Sequence, residues 1–207
     1  MEDVLELYAE PYDPDRPVLG FDERPLQLVA ETRMPIPAQP GRSRRIDYEY
    51  RRNGTCNLFT TIEPLTGWRH IEVTERRTAV DFAHQMKWLV DEAYPYATVV
   101  RVVLDNLNVH AKASLYVAFA PAEARRIARK LEFHFTPKHG SWLNVAECEL
   151  AVLASQCLAR RLGDINTARC EIAAWERQRN IKRPSVKWHF TVDQARHKLR
   201  RLYPDPA

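Results

Sequence analysis

The sequence predicts an α/β fold: a mixed five-stranded sheet that opens as an antiparallel meander and is flanked by helices. Three observations predict it. β-rich runs separated by turn residues occupy the first third of the 207-residue chain. From Val80 onward the apolar spacing becomes helical, and two further apolar strands then alternate with helical segments.

Each element follows from local chemistry. Residues 1–17 are acidic and then punctuated by Pro11, Pro14 and Pro17, which reads as a short helix and a linker. Val18-Leu19-Gly20-Phe21 is an apolar run ending at Asp22, a buried strand. Residues 31–45, with three prolines and several arginines, read as a loop. Tyr48 and Tyr50 alternate with charges, and Asn53-Gly54 signals a hairpin turn. Leu58–Ile62 forms the second strand, Thr66-Gly67 turns the chain, and Trp68–Val73 forms the third. Val80 to Asp91 is a helix that stops near Pro95. Thr98–Leu104 is almost entirely β-branched or apolar, as in a central strand covered on both faces. Ser114–Lys130 is helical and divided at Pro121; Leu131–Phe135 alternates as a fifth strand. Asn144–Leu162 reads as one long amphipathic helix, with further helices at 167–179 and 191–202. Three meandering strands, helix, strand, helix, strand and long helix is the order of a ribonuclease H-like (retroviral-integrase-like) fold, whereas a doubly wound sheet would alternate β and α from the start. The expected division is a linker at 1–17, the α/β domain at 18–163 and a basic helical extension at 164–207.

Composition narrows the function classes. With 45 % hydrophobic and 28 % charged residues, the chain can bury a core, which excludes wholesale disorder. No run approaches the roughly 20 apolar residues of a membrane span, and the N-terminus MEDVLELYAE has no signal-peptide pattern. Cys56, Cys148, Cys157 and Cys170 form no CxxC pair, so a reduced, cytoplasmic chain is expected rather than a zinc cluster or disulfide framework. Neither GxGxxG nor a P-loop occurs. The net charge of +4 is unevenly spread, from −4 over residues 1–120 to +8 over 121–207, and 24 of the 31 basic residues are arginine. That points to a polyanion such as nucleic acid, or to a solvated basic face.

Three carboxylates stand where metal-dependent phosphoryl transfer needs them. That chemistry uses two hard cations roughly 3.5–4 Å apart, held by oxygen ligands. Asp22 closes VLGF and Asp105 closes VVRVVL, each at a strand end; a turn to solvent and an Asx turn, respectively, would also explain them. Glu147 stands three residues after Asn144 at a helix start, a spacing that also suits a capping box. The apolar stripe Leu143, Leu150, Ala154, Cys157 and Leu158 includes Glu147 and leaves Glu149 on the opposite, solvated side. The stripe favours Glu147 over Glu149 as a third ligand, while a capping box would explain Glu147 without a metal.

Asp105-Asn106…His110 followed by Pro137-Lys138-His139-Gly140-Ser141-Trp142-Leu143-Asn144-Val145-Ala146-Glu147 resembles the DDE superfamily endonuclease (catalytic) domain of mariner-like bacterial insertion-sequence transposases. Asp22, in "FDE", matches the first carboxylate of that family, and Trp188-His189-Phe190-Thr191 resembles its C-terminus. The resemblance covers about residues 1–203. It implies Asp22, Asp105 and Glu147 as catalytic metal ligands, two Mg²⁺ (or Mn²⁺) ions, and DNA strand cleavage and transfer at transposon ends. Water would attack first, and the freed 3′-hydroxyl would then attack target DNA. The partners implied are transposon-end and target DNA and a homodimer or higher synaptic complex, with no membrane. Where mariner-type chains often carry proline before the glutamate, this one has Val145-Ala146. Only 21 residues precede Asp22, too few for the helix-turn-helix modules of the family, so an inactive or regulatory fragment is the alternative.

Further candidates are weaker by residue type. Asn106 and His110 could orient the site. Lys138, His139, Trp142, Arg125, Arg126 and Arg129 could contact DNA. A polar surface, an anchored loop and a solvated helix face are the competing explanations.

Overall fold

The computed structural model describes residues 1–138 and 140–203. It contains seven α-helices and five strands among these residues: α1 (Glu2–Ala9), β1 (Val18–Glu31), β2 (Tyr50–Glu63), β3 (Trp68–Thr74), α2 (Ala79–Trp88), β4 (Val100–Leu104), α3 (Ala113–Ala118), α4 (Pro121–Lys130), β5 (Leu131–Phe135), α5 (Val145–Gln156), α6 (Ile165–Lys182) and α7 (Val192–Lys198). The sheet order is β3-β2-β1-β4-β5. β1 pairs antiparallel with β2 and β2 with β3, while β4 lies parallel to both β1 and β5. This is the mixed sheet that the element order implies.

Strand alternation divides the core between two faces. Leu19, Phe21, Val102 and Leu104 face Phe82, Met86, Leu115 and Ile127 from α2, α3 and α4. Leu28, Leu58, Ile71 and Val73 face Leu150, Leu153, Ile172 and Trp175 from α5 and α6. Each fully buried Leu or Phe stabilises the fold by about 2 kcal/mol, so both faces are needed. A third cluster joins Ile62, Val103 and Val145 to Val4 and Leu5 of α1 and Ala195 of α7.

Two local expectations change, and both ends of the described chain pack onto the sheet. Asn53-Gly54 makes no hairpin turn: β2 runs through it, and the β1–β2 register shifts between Gln27 and Val29 opposite it. Gly54 has φ 91°, and an Asn-Gly pair serves such a bulge as well as a turn. The long helix ends at Gln156 rather than Leu162, because the chain turns so that Leu162 O can accept from Val29 N at 2.7 Å. The segment read as a short helix and a linker begins with that helix, whose Val4, Leu5, Leu7 and Tyr8 are buried, and Arg101, 2 % exposed, ties residues 10–16 to the sheet through Glu10 and the Arg16 carbonyl. Residues 164–203 pack likewise, with α6 contributing Ala168, Ile172 and Trp175 to the core.

Candidate active site

Parallel pairing places Asp22 and Asp105 side by side. Gly20 stands opposite Val103, so Asp22 and Asp105 each lie two residues beyond the last paired position of β1 and β4. Gly20 and Asp22 point to the α5 face, opposite Leu19 and Phe21. A Cβ on Gly20 would lie 2.4 Å from Val145 Cγ1 and 3.1 Å from Ala146 N, so glycine permits the first turn of α5 to rest on the strand. Asn144 fixes that turn. Its Nδ2 donates to Phe21 O at 2.8 Å, and its Oδ1 accepts from Ala146 N at 3.1 Å. Glu147 follows in the same turn.

Glu147 is not a cap. The Asn144 N–H donates to Ser141 O at 2.7 Å, and the Glu147 carboxylate makes no hydrogen bond among the described residues. The stripe argument, however, is overturned. Glu147 is exposed and Glu149 is buried, 3 % exposed. Arg179 of α6 grips Glu149 through Nε and Nη2, both at 3.0 Å, and Arg69 Nε of β3 lies 2.9 Å from it. Two guanidiniums offset the desolvation that the stripe argument charged against a buried carboxylate.

Asp22 carries the electrostatic signature of the site. Burial raises its pKa to about 7 against the opposing hydrogen bond from Glu23 N, and the like charges of Glu147, Glu23 and Asp105 raise it further. As placed, no three His, Cys, Asp or Glu side chains among the described residues are close enough to hold one ion. The three carboxylates thus share a field without forming a closed ligand cage. Their chemistry nonetheless fits a hard divalent cation: they are oxygen donors, and Asp22 is largely buried among negative charges with one side-chain hydrogen bond among the described residues.

His110 is buried beneath Asp105. Its Nδ1 lies 2.6 Å from Asp105 Oδ1 and hydrogen-bonds the Asp105 carbonyl at 3.1 Å. Its Nε2 lies 2.9 Å from Glu23 Oε2, an ionic contact rather than an aligned hydrogen bond. Burial opposes the charged ring, but Asp105 and Glu23 outweigh it and raise the pKa to about 9. The same contact holds Asp105 below the usual carboxylate range. Glu23 is absent from the sequence-derived set. Strand alternation could have found it: next to Asp22, it must point to the apolar face and therefore needs a partner.

The other candidates separate. Asp105, Asn106, Thr136, Pro137, Lys138 and Ser141 line a 440 Å³ cavity, which brings Asn106 and Lys138 beside the carboxylate. His139 lies outside the described residues. Trp142 stacks on Trp188 at 6.3 Å and meets Phe190 edge-on at 5.6 Å, so it anchors the loop while remaining 45 % exposed. Arg126 is engaged by Asp91 and Glu123, both in the α2–α4 layer. Arg125 and Arg129 are exposed on α4, which ends where β5 begins, at the opposite end of the sheet from Asp105.

Comparison with known proteins accords with this fold. The Mos1 strand transfer complex is similar in fold, with a TM-score of 0.52 and 16 % identity over 88 % of this chain and 56 % of that one. The Mos1 transposase paired-end complex with left transposon end gives 0.51 and 16 %, over 88 % and 57 %. The chain therefore spans a little over half the length of these proteins, and the shared architecture is the ribonuclease H-like fold. No curated protein matches the sequence. The family model described as DDE superfamily endonuclease matches residues 17–169, and the chain belongs to that family.

Proposed function

We propose that this chain is the catalytic part of a mariner-like insertion-sequence transposase, cleaving and joining DNA strands at transposon ends with Asp22, Asp105 and Glu147 as its metal ligands. One observation carries the reading: two adjacent parallel strands and an Asn144-anchored helix start bring three carboxylates to one end of the sheet, where each of the other two acts on Asp22. DDE endonucleases generally use divalent metal ions. Bound here, two Mg²⁺ or Mn²⁺ ions would supply charge neutralisation at the scissile phosphate and activation of the attacking hydroxyl.

The residues of the chain do the remaining work. His110 fixes one oxygen of Asp105 and leaves the 45 % exposed carboxylate facing outward. Lys138 places an ammonium at the cavity beside Asp105, where a DNA phosphate would be held without reading sequence. Two complexes similar in fold are a Mos1 strand transfer complex and a Mos1 transposase paired-end complex with left transposon end, which supports DNA as the partner and a homodimer or higher synaptic complex as the working assembly.

The test is metal-dependent cleavage of DNA carrying the transposon ends. Glu147→Gln and Asp105→Asn should fold normally and cut no faster than a metal-free control. Normal cleavage by Glu147→Gln would remove it from the ligand set.

A further inference from the structure

The site has a second layer on the far face of the sheet. Asp22 and Glu23 are consecutive in β1 and point to opposite faces, Asp22 toward α5 and Glu23 into the apolar layer under α2 and α3. Glu23 is 4 % exposed there and His110 is 0 % exposed, with His110 held against Phe21 and Phe82 at ring distances of 5.8 and 4.9 Å. Arg77 also stands near Glu23, its half-exposed guanidinium Nη1 3.9 Å away, and Asp22 is the chain neighbour of Glu23. Asp105, the residue after β4, can be reached from both faces. Its Oδ1 takes His110 and the Leu107 N–H, while Oδ2 has no hydrogen bond among the described residues.

We propose that Glu23 is a positioning residue for the metal site: through His110, which it holds from behind, it fixes the Asp105 carboxylate with Oδ1 occupied and Oδ2 presented to the cation. The inference rests on the metal-ligand reading above and adds to it a residue that touches neither metal nor DNA. An imidazole packed between two aromatic rings can still swing about χ2; a carboxylate on its distal nitrogen removes that freedom. A ligand carboxylate that is already oriented loses less side-chain freedom when it captures a cation. Partners of this kind typically change metal affinity 10–100-fold on removal.

The experiment is calorimetric titration of the full chain with Mn²⁺ alone, together with thermal denaturation, for the unmodified protein, Glu23→Gln and Asp105→Asn. Glu23→Gln keeps the size of the side chain and removes its charge. The expected result is that Asp105→Asn loses Mn²⁺ binding while Glu23→Gln, still folded, binds about 10-fold or more weakly. A purely structural role would lower the melting temperature and leave the Mn²⁺ dissociation constant unchanged. A folded Glu23→Gln that binds within twofold of the unmodified protein overturns the proposal and leaves the ligand assignment standing. Unchanged binding by Asp105→Asn, or none by the unmodified protein, removes the ligand assignment and the proposal with it. Should Glu23→Gln not fold, Glu23→Asp, which keeps the charge but draws it back by one methylene, is judged by the same criteria.

Discussion

Glu147 and Glu149 stand two residues apart on α5 and have opposite surroundings. Glu147 is exposed and its carboxylate makes no hydrogen bond among the described residues; Glu149 is buried between Arg69 and Arg179, which come from β3 and α6. Arg69 is itself fully buried and extends the network, donating from Nη2 to Pro184 O at 3.0 Å. The two glutamates divide the work of one helix start. Glu149 ties α5 to the elements on its own face, so that Glu147 can stand with an open carboxylate at the sheet end. An open carboxylate is ready for a cation only if the backbone beneath it is held by something else.

This division can be tested by stability, from the largest expected effect to the smallest. Glu149→Ala leaves two guanidiniums without their carboxylate, one of them in the core, and should cost about 3–5 kcal/mol in urea unfolding. A loss below about 1 kcal/mol would show that the network is dispensable. The next contact between β3 and α6 is His70, paired with Glu176 at 3.2 Å. Burial would lower its pKa, but Glu176 and Glu72 outweigh burial and raise it to about 9. A folded pKa above the unfolded value near 6.5 gives stability that is complete below pH 6.5 and is lost as pH rises through about 9. The stability difference between the unmodified protein and His70→Gln should therefore shrink by on the order of 2 kcal/mol between pH 6 and pH 9.5. A difference that stays constant with pH would break the assignment.

Arg126→Met should cost no more than about 1 kcal/mol, since this ion-paired side chain is half exposed, and should leave DNA cleavage unchanged. A strong loss of cleavage would return α4 to the DNA-binding surface. The smallest change belongs to Glu147→Gln, within about 0.5 kcal/mol of the unmodified protein in the same urea assay. There the contrast is sharpest: the glutamate proposed for catalysis should be neutral for folding, and the one that folds the helix should hold no metal.

The strands were legible because apolar runs and turn residues mark them: VLGF, VVRVVL and Thr66-Gly67 all fall where the chemistry of their residues places them. Asn53-Gly54 was not, because the same dipeptide suits a turn and a bulge, and only pairing with β1 decides between them. The overlong α5 has a similar origin: Leu158 and Leu162 are apolar because the turn after the helix packs on β1, not because the helix continues. Glu149 was misread since its partners, Arg69 and Arg179, are distant in sequence, and a helical wheel sees only its own helix. His110 could be named as an orienting residue from the DN…H spacing, but its link to Glu23 depends on which face of β1 each acid occupies.

Gly20 gives α5 a mechanical datum. The helix start meets β1 through the Ala146 backbone and the short side chains of Asn144 and the β-branched Val145, with no long flexible side chain in between to take up slack. A reference surface of this kind does not drift when distant packing is altered. Substitutions in the core at Leu153 or Trp175 would therefore be felt as lost cohesion of the whole molecule, while the offset between β1 and the start of α5 stayed fixed until it unfolded. One methyl group at position 20 would do the reverse: it would act as a shim, lifting the first turn of α5 and changing the reach of Glu147 toward Asp22.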